Sequence, residues 1–456
     1  MEKKKKKIVT KNKKKNILFV GPFPPHQRGG GENAAYSLAK SIKKKGSNVF
    51  VLSMGKDKFF ETYEDSGIKF YRIDKFYTGR KHRFSLFHVI RYFTVELFNP
   101  LMFLSTLYLI IRHKINAVHI STFHQMSFSP LIAAKLLFRK TLITFHSHEL
   151  FCFFSSLTPS CGGVGNGHCG ECMLKIQKSP KFLNKSNKHA ALYKAATASA
   201  DYLIRFVLFL KLKVAQTADH ILFPSEYLRN YYVGHGFDAK KTKVIYNFLN
   251  DRKADGKSAK DFKRRLGIKD EKVILFVGNI IEFKGPEVLL DAFSILKKNL
   301  KNNKNTMKSN KNIKLMFVGY GDLLDKLKTK ASELKLNGRV VFTDWIPRDD
   351  VVSAYNLSDI VVIPSLFPET FSFIFLEAFN AGKIVIASDI GALSDNIVDG
   401  KTGFLVRPND SKELAKMLDY VIANHKKLGH IRRHAREEAR TKYDAKEFLK
   451  QYERLY

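Results

Sequence analysis

Acid is what this sequence is short of. Its 456 residues hold 42 Asp and Glu against 79 Lys and Arg, a formal charge of +37. Such an excess excludes an indifferent surface. It predicts attraction to something anionic: nucleic acid, a lipid headgroup plane or a phosphorylated substrate. Long apolar runs are missing too. The longest uncharged apolar run, Leu97–Ile111, contains Asn99 and Pro100, whereas a spanning helix wants about 20 apolar residues. It predicts a buried or interfacial helix. The basic N-terminus is followed only by Ile17–Pro22, too short for a signal-peptide core and read as a strand. The expectation is a cytoplasmic protein.

Enough apolar sequence remains for a core: 45% of residues are hydrophobic, near the globular norm, which excludes wholesale disorder. The length suits two or three domains. Part of the charge is local. Residues 1–15 hold nine Lys and one Glu and read as a disordered basic tail, and 297–312 hold six Lys and no acid, a solvated Lys/Asn loop. About +23 is left for the rest.

Strand-like runs alternate with helix-like spacers. In the first half the runs are Asn16–Gly21, Asn48–Ser53, Lys69–Ile73, Ala117–Ser121, Thr141–His146, His220–Pro224 and Lys243–Asn247. In the second they are Lys272–Gly278, Ile313–Gly319, Val340–Thr343, Ile360–Pro364, Lys383–Ala387 and Gly403–Val406. Several are apolar throughout, as in buried parallel sheets. This is an α/β pattern of two doubly wound, Rossmann-like domains. The polar stretch from Asn247 to Lys272 places the hinge near Asn250. The predicted division is a tail at 1–15, domains at 16–250 and 251–440, and a C-terminal helix at 441–456. The segment from His425 onward reads as helix with charge on most faces. Ligands of open α/β sheets sit at the carboxyl ends of the strands, so two facing domains would share one cleft.

Three stretches carry chemistry. After the first strand, Gly29-Gly30-Gly31-Glu32-Asn33 opens a helix. Such glycines allow close backbone approach, and the helix start offers free N–H groups; a plain tight turn is the other reading. After Val273–Gly278 comes Asn279, then Lys284-Gly285 before another helix. A lysine there neutralises a diphosphate, unless it is simply solvated. The most informative stretch is Pro368-Glu369-Thr370-Phe371-Ser372, followed by an apolar helix that contains Glu377. Glu is almost never buried unpaired. Sugar hydroxyls would satisfy Glu377, as would a structural Glu–Lys pair.

These residues resemble the family 4 glycosyltransferases, retaining, sugar-nucleotide-dependent enzymes of GT-B fold. The resemblance spans about 16–440. It rests on Gly29–Gly31, Gly278 with Lys284-Gly285, Val318–Gly321 and, above all, Glu369 and Glu377 with the tail Ile386–Gly403. It implies that Glu377 holds the ribose hydroxyls and that Glu369 contacts the donor sugar. Lys284 would neutralise the departing diphosphate, and main chain at Phe371 and Ser372 would cradle sugar and phosphate. Gly30 and Gly31 would approach the donor from the other domain, Asp344–Pro347 would border the base, and His146 would lie near sugar and acceptor. The catalytic set is thus Glu369, Lys284 and His146. The family usually has Arg where this chain has Asn279, which removes one positive charge from the diphosphate site. Ser372 stands where Gly is commoner.

The implied reaction moves a hexose-like unit from a nucleotide-diphosphate sugar to a lipid-linked or envelope glycan with retention. No Asp-x-Asp triplet is present, so no catalytic metal is expected. An epimerase of the same fold would need another acid–base set. A nucleic-acid-binding protein would explain the charge but not the paired glutamates, and no basic recognition helix is evident.

Four cysteines, Cys152, Cys161, Cys169 and Cys172, fall within 21 residues. In a cytosolic chain that reads as structural zinc, or as free thiols or a labile disulfide. His119, His124, His146 and His148 crowd two strand ends without metal spacing. Segment Lys75–His113 interleaves Arg and Lys with Phe. It fits an ordinary core helix or docking on anionic lipid, which would place the protein peripherally at the inner membrane face.

Overall fold

The computed structural model describes residues 14–23, 29–55, 60–74, 97–123, 126–151, 190–249, 256–302 and 312–456. The first sheet contains Asn16–Val20 (β1), Asn48–Gly55 (β2), Phe60–Asp65 (β3), Ile68–Asp74 (β4), Ala117–Ile120 (β5), Lys140–Thr144 (β6), His220–Phe223 (β7) and Thr242–Val244 (β8). Their order is β3-β4-β2-β1-β5-β6-β7-β8. All pairs are parallel except β3 with β4. The second sheet contains Lys272–Val277 (β9), Ile313–Val318 (β10), Val340–Phe342 (β11), Ile360–Ile363 (β12), Ile384–Ser388 (β13) and Phe404–Val406 (β14). Its order is β11-β10-β9-β12-β13-β14, parallel throughout. Every predicted strand overlaps an observed one. The addition is β3, an antiparallel edge strand with mostly exposed side chains.

The apolar runs follow from the layering. Ile17, Leu18, Phe19 and Val20 are all buried, as are Ile360–Ile363, because helices cover both faces of each sheet. The helices of the first domain are Gly30–Lys44 (α1), Pro100–Arg112 (α2), Ser129–Leu136 (α3), Ala190–Ala215 (α4) and Glu226–Gly234 (α5). Those that follow are Gly256–Arg265 (α6), Pro286–Asn302 (α7), Leu324–Glu333 (α8), Arg348–Leu357 (α9), Phe373–Asn380 (α10), Ala392–Asn396 (α11), Ser411–Asn424 (α12), Gly429–Thr441 (α13) and Ala445–Leu455 (α14). Helix α1 shows the usual amphipathic spacing, burying Ala35, Leu38, Ala39 and Ile42.

The C-terminal segment differs from its sequence reading. It is two helices, broken at 442–444, and α14 buries one stripe of Phe448, Leu449, Tyr452 and Leu455. That stripe lies against the first domain. Tyr456 Oη meets His119 Nδ1 at 2.6 Å, Lys45 pairs with Glu453 at 3.1 Å, and Lys15 Nζ donates to the Glu453 carbonyl at 3.4 Å. One hydrophobic cluster therefore holds Phe19 of β1, Val273 of β9, and Tyr452 and Tyr456. The last helix ties the two sheets into one body. Among the described residues, no helix is long and apolar enough to cross a membrane.

Candidate active site in the interdomain cleft

Glu369 follows β12 in a loop, and its side chain is buried. Lys284 Nζ donates to its Oε1 at 2.9 Å, and Ser365 Oγ donates to the same oxygen. Burial alone would push the Glu369 carboxyl up. The charge and hydrogen bond of Lys284, with the Ser365 hydroxyl, outweigh burial and hold it below the ordinary value. The Ser372 hydroxyl adds a weaker pull but makes no full hydrogen bond of its own. The pairing depends on Gly285. It ends the single turn Glu282–Lys284 in the left-handed region, φ 63, and a methyl group there would lie 1.9 Å from the Pro364 carbonyl oxygen. Only glycine lets the Lys284 turn sit against the end of β12. The Glu369 carbonyl is fixed from the other side, accepting from Ala392 N at 2.8 Å.

Two helix starts meet across the cleft. Helix α1 begins at Gly30 and α10 at Phe373, and a methyl group on Gly30 would sit 3.8 Å from the Phe373 ring. Each start presents unsatisfied N–H groups and a positive dipole end. Ser372 caps α10 without a side-chain cap bond, and its buried hydroxyl has no hydrogen-bond partner among the described residues. Gly31 packs on His146: a methyl group there would lie 2.9 Å from His146 Cβ. The His146 carbonyl accepts from Thr370 Oγ1 at 2.6 Å, and the Thr370 carbonyl accepts from Ser225 Oγ at 2.6 Å. Thr370, next to Glu369, is thus held by the first domain at its hydroxyl and its carbonyl. Tyr227 N donates to Asp395 in the same seam. The geometry concentrates one lysine and two helix starts beside one carboxylate, an arrangement suited to an anion carrying hydroxyls.

Glu377 on α10 is mostly buried and pairs with Arg348 at the start of α9. The expected alternative of a Glu–Lys pair is therefore replaced by Glu–Arg. Asn279 is exposed at the end of β9. The Phe371 ring packs edge-on against Phe373, Phe375 and Tyr443, which anchors the loop. Trp345, in the loop after β11, and Tyr320, after β10, are both largely exposed. Asp344 beside Trp345 pairs with Lys328 at 3.0 Å.

Comparison with known proteins decides what this cleft belongs to. A model described as Glycosyltransferase Family 4 matches residues 28–253, and one described as Glycosyl transferases group 1 matches 258–440. The chain belongs to glycosyltransferase family 4. An uncharacterised glycosyltransferase of Methanocaldococcus jannaschii is 32% identical over 222 residues, covering 47% of this chain and 54% of the relative. A D-inositol 3-phosphate glycosyltransferase of Corynebacterium glutamicum is 32% identical over 167 residues, 36% of this chain and 37% of that one. The chain thus spans about half or less of the curated relatives it matches. Among solved structures, Anabaena HepE in complex with UDP superposes with a TM-score of 0.66 at 18% identity, covering 96% of this chain and 98% of that one. That likeness shows the fold, which is GT-B.

In this family 4 chain the predicted residues Gly30, Gly31, His146, Lys284, Glu369, Phe371 and Ser372 lie along one seam, with Glu377 on the helix that Ser372 caps. Sequence reasoning missed Arg348, Ser225 and the Thr370 hydroxyl. Ser225 was visible as the cap of α5, where it accepts from Leu228 N at 3.2 Å; its second bond, to Thr370, was not. Burial lowers the His146 imidazole to about 4, so it is neutral at neutral pH, although some of the residue still faces the cleft. His119 is a satisfied core histidine, bonded to Tyr456 and to Thr144 Oγ1 at 2.7 Å. His148 Nε2 meets Tyr227 Oη at 3.2 Å. Cys152, Cys161, Cys169, Cys172 and His124 lie outside the described residues, as do the tail 1–13 and most of the basic aromatic segment, 75–96.

Proposed function

We propose that the protein transfers a hexose-type unit, with retention, from a nucleotide-diphosphate sugar to a lipid-linked or envelope glycan on the cytoplasmic side of a membrane. The observation that carries this reading is the Lys284–Glu369 pair set beside two facing helix starts. The solved neighbour that binds UDP supports a nucleotide donor.

Roles follow from the chemistry. The diphosphate lies at the starts of α1 and α10, where N–H groups and Lys284 take up the charge that grows as the sugar departs. Lys284 and Ser365 both bond Glu369 Oε1, so Oε2 is left for a donor-sugar hydroxyl. Glu377 takes the ribose hydroxyls, with Arg348 pairing the carboxylate between turnovers. Asn279 contacts the diphosphate by hydrogen bond without adding charge. The loop 344–347 borders the base. His146, neutral, contacts the sugar and the incoming hydroxyl without competing for the diphosphate. The acceptor attacks on the face the diphosphate leaves, and this arrangement calls on no metal ion. The cysteine cluster is read as structural zinc, free thiols or a labile disulfide, which metal analysis of the purified protein separates.

The test is a transfer assay with a panel of labelled nucleotide sugars and a membrane lipid extract as acceptor. Proton NMR of the product reports the anomeric configuration. Retention in a labelled glycolipid supports the reading. Inversion would overturn the mechanism, and hydrolysis or epimerisation without transfer would overturn the function.

A further inference from the structure

One face of the first domain is apolar where a soluble surface should not be. Helix α2 is apolar nearly all round, a composition normally found in buried helices. Here it buries Met102, Thr106, Leu109 and Ile110 but exposes Leu104, Tyr108 and Ile111 along a second stripe. Helix α3 packs against α2 and exposes Ile132 and Leu136. By the right-handed crossover rule, α2, α3 and α4 belong to one face of the sheet. Helix α4 adds a third stripe there, Tyr202, Phe206 and Phe209, at helical spacing. Together with Phe98 and Phe138, ten of the fifteen large exposed apolar side chains among the described residues belong to this layer.

Phe138 is the sharpest of them. It follows α3, its N–H bonded to the Lys135 carbonyl, and stands 95% exposed at φ 54. That position after a helix favours glycine, and a bulky side chain there is strained. A strained, fully solvated phenylalanine does nothing for the isolated fold, so its use lies outside it.

The surrounding charge selects the occupant. No Asp or Glu occurs from Leu97 to Lys140. Arg112, Lys114 and Arg139 are exposed at the edge of the patch and form no ion pair among the described residues. A second copy of this chain would bring its own charge of +37 and be repelled. An anionic headgroup plane supplies both the apolar interior and the opposite charge. We propose that the α2–α3 face, with Phe138 as an inserted anchor, docks the protein on an anionic bilayer. This stands beside the transferase reading, since binding is measured without turnover.

The test is vesicle flotation of the full chain, with phosphatidylcholine alone and mixed with phosphatidylglycerol. Wild type should float with the mixed vesicles only. Phe138→Gly removes the anchor and the backbone strain together. It should keep or raise the Tm while vesicle affinity falls, and with Ile111→Asp the loss should reach about tenfold or more. Arg112→Glu with Arg139→Glu should weaken binding and flatten its salt dependence. Full binding by the Phe138/Ile111 variant would overturn the proposal and assign any attraction to the basic tail. So would light scattering that shows a wild-type dimer dissolved by the same substitutions.

Discussion

The first sheet domain exposes eleven large apolar side chains among the described residues; the second exposes four, two of which, Tyr320 and Trp345, stand in loops after strands β10 and β11. Both domains are twisted parallel sheets with helices on both faces, so the difference is not one of architecture. In the second domain, tight glycine turns and a Lys–Glu pair with a buried carboxylate converge on one strand end. In the first, helices that cover the sheet leave their outer stripes apolar. The comparison teaches that one domain is built around a small polar ligand and the other offers a broad surface. Among the described residues, Gly30, Gly31, His146, Ser225 and Tyr227 bring the first domain to the seam.

The sharpest way to break this comparison is at the pair itself. Lys284→Ala and Glu369→Ala should each cut kcat by about 10²–10³-fold or more, with circular dichroism unchanged. Near-normal turnover in both would remove the site. Next comes the seam. Gly31→Ala forces His146 to move, and a displacement of about 1 Å costs on the order of 10²-fold in rate. Steady-state kinetics should show the loss mainly in kcat, with nucleotide affinity kept. Glu377→Ala should raise the donor KM about tenfold, one to two hydrogen bonds' worth, with a smaller change in kcat. Arg348→Ala should lower the Tm by leaving a mostly buried carboxylate unpaired.

The last test addresses the first domain's core rather than its chemistry. Burial lowers His119 to about 3 and His146 and His148 to about 4, from an ordinary 6.5. The unfolded chain therefore takes up protons first as pH falls. Stability from these groups is full above about pH 6.5 and declines down to the lowered values, by about 1.4 kcal/mol per pH unit for each histidine. Denaturant melts between pH 7 and 4 should show that slope, and His119→Gln should reduce it by about a third at most. A flat profile would mean that the rings are solvated.

How much of this was legible follows the range of the interactions. Several of the thirteen strand runs were readable because burial on both faces leaves apolar residues. Edge strand β3 was not, since its Phe60–Asp65 side chains mostly face solvent. Its signal was the Ser66-Gly67 pair, both at positive φ, a two-residue hairpin turn. Glu369 and Lys284 could be named because local motifs present them, yet their contact joins residues 85 positions apart. Arg348 beside Glu377 and Ser225 beside Thr370 carry no local signature, because their meaning exists only once the two sheets face each other. The apolar stripe of α2 was visible as composition. That half of it stays exposed was not, because periodicity cannot say which apolar face finds a partner.

The central claim is that the seam between the domains binds a nucleoside diphosphate. Isothermal titration of UDP, GDP and ADP into the full chain tests it directly. The account predicts one bound nucleotide per chain for one of the three, with a rise in stability of about 2.7 kcal/mol at a hundredfold excess over Kd. Binding should weaken at least tenfold in both Lys284→Ala and Glu377→Ala. No binding by any of the three, or equal binding by both variants, would contradict it.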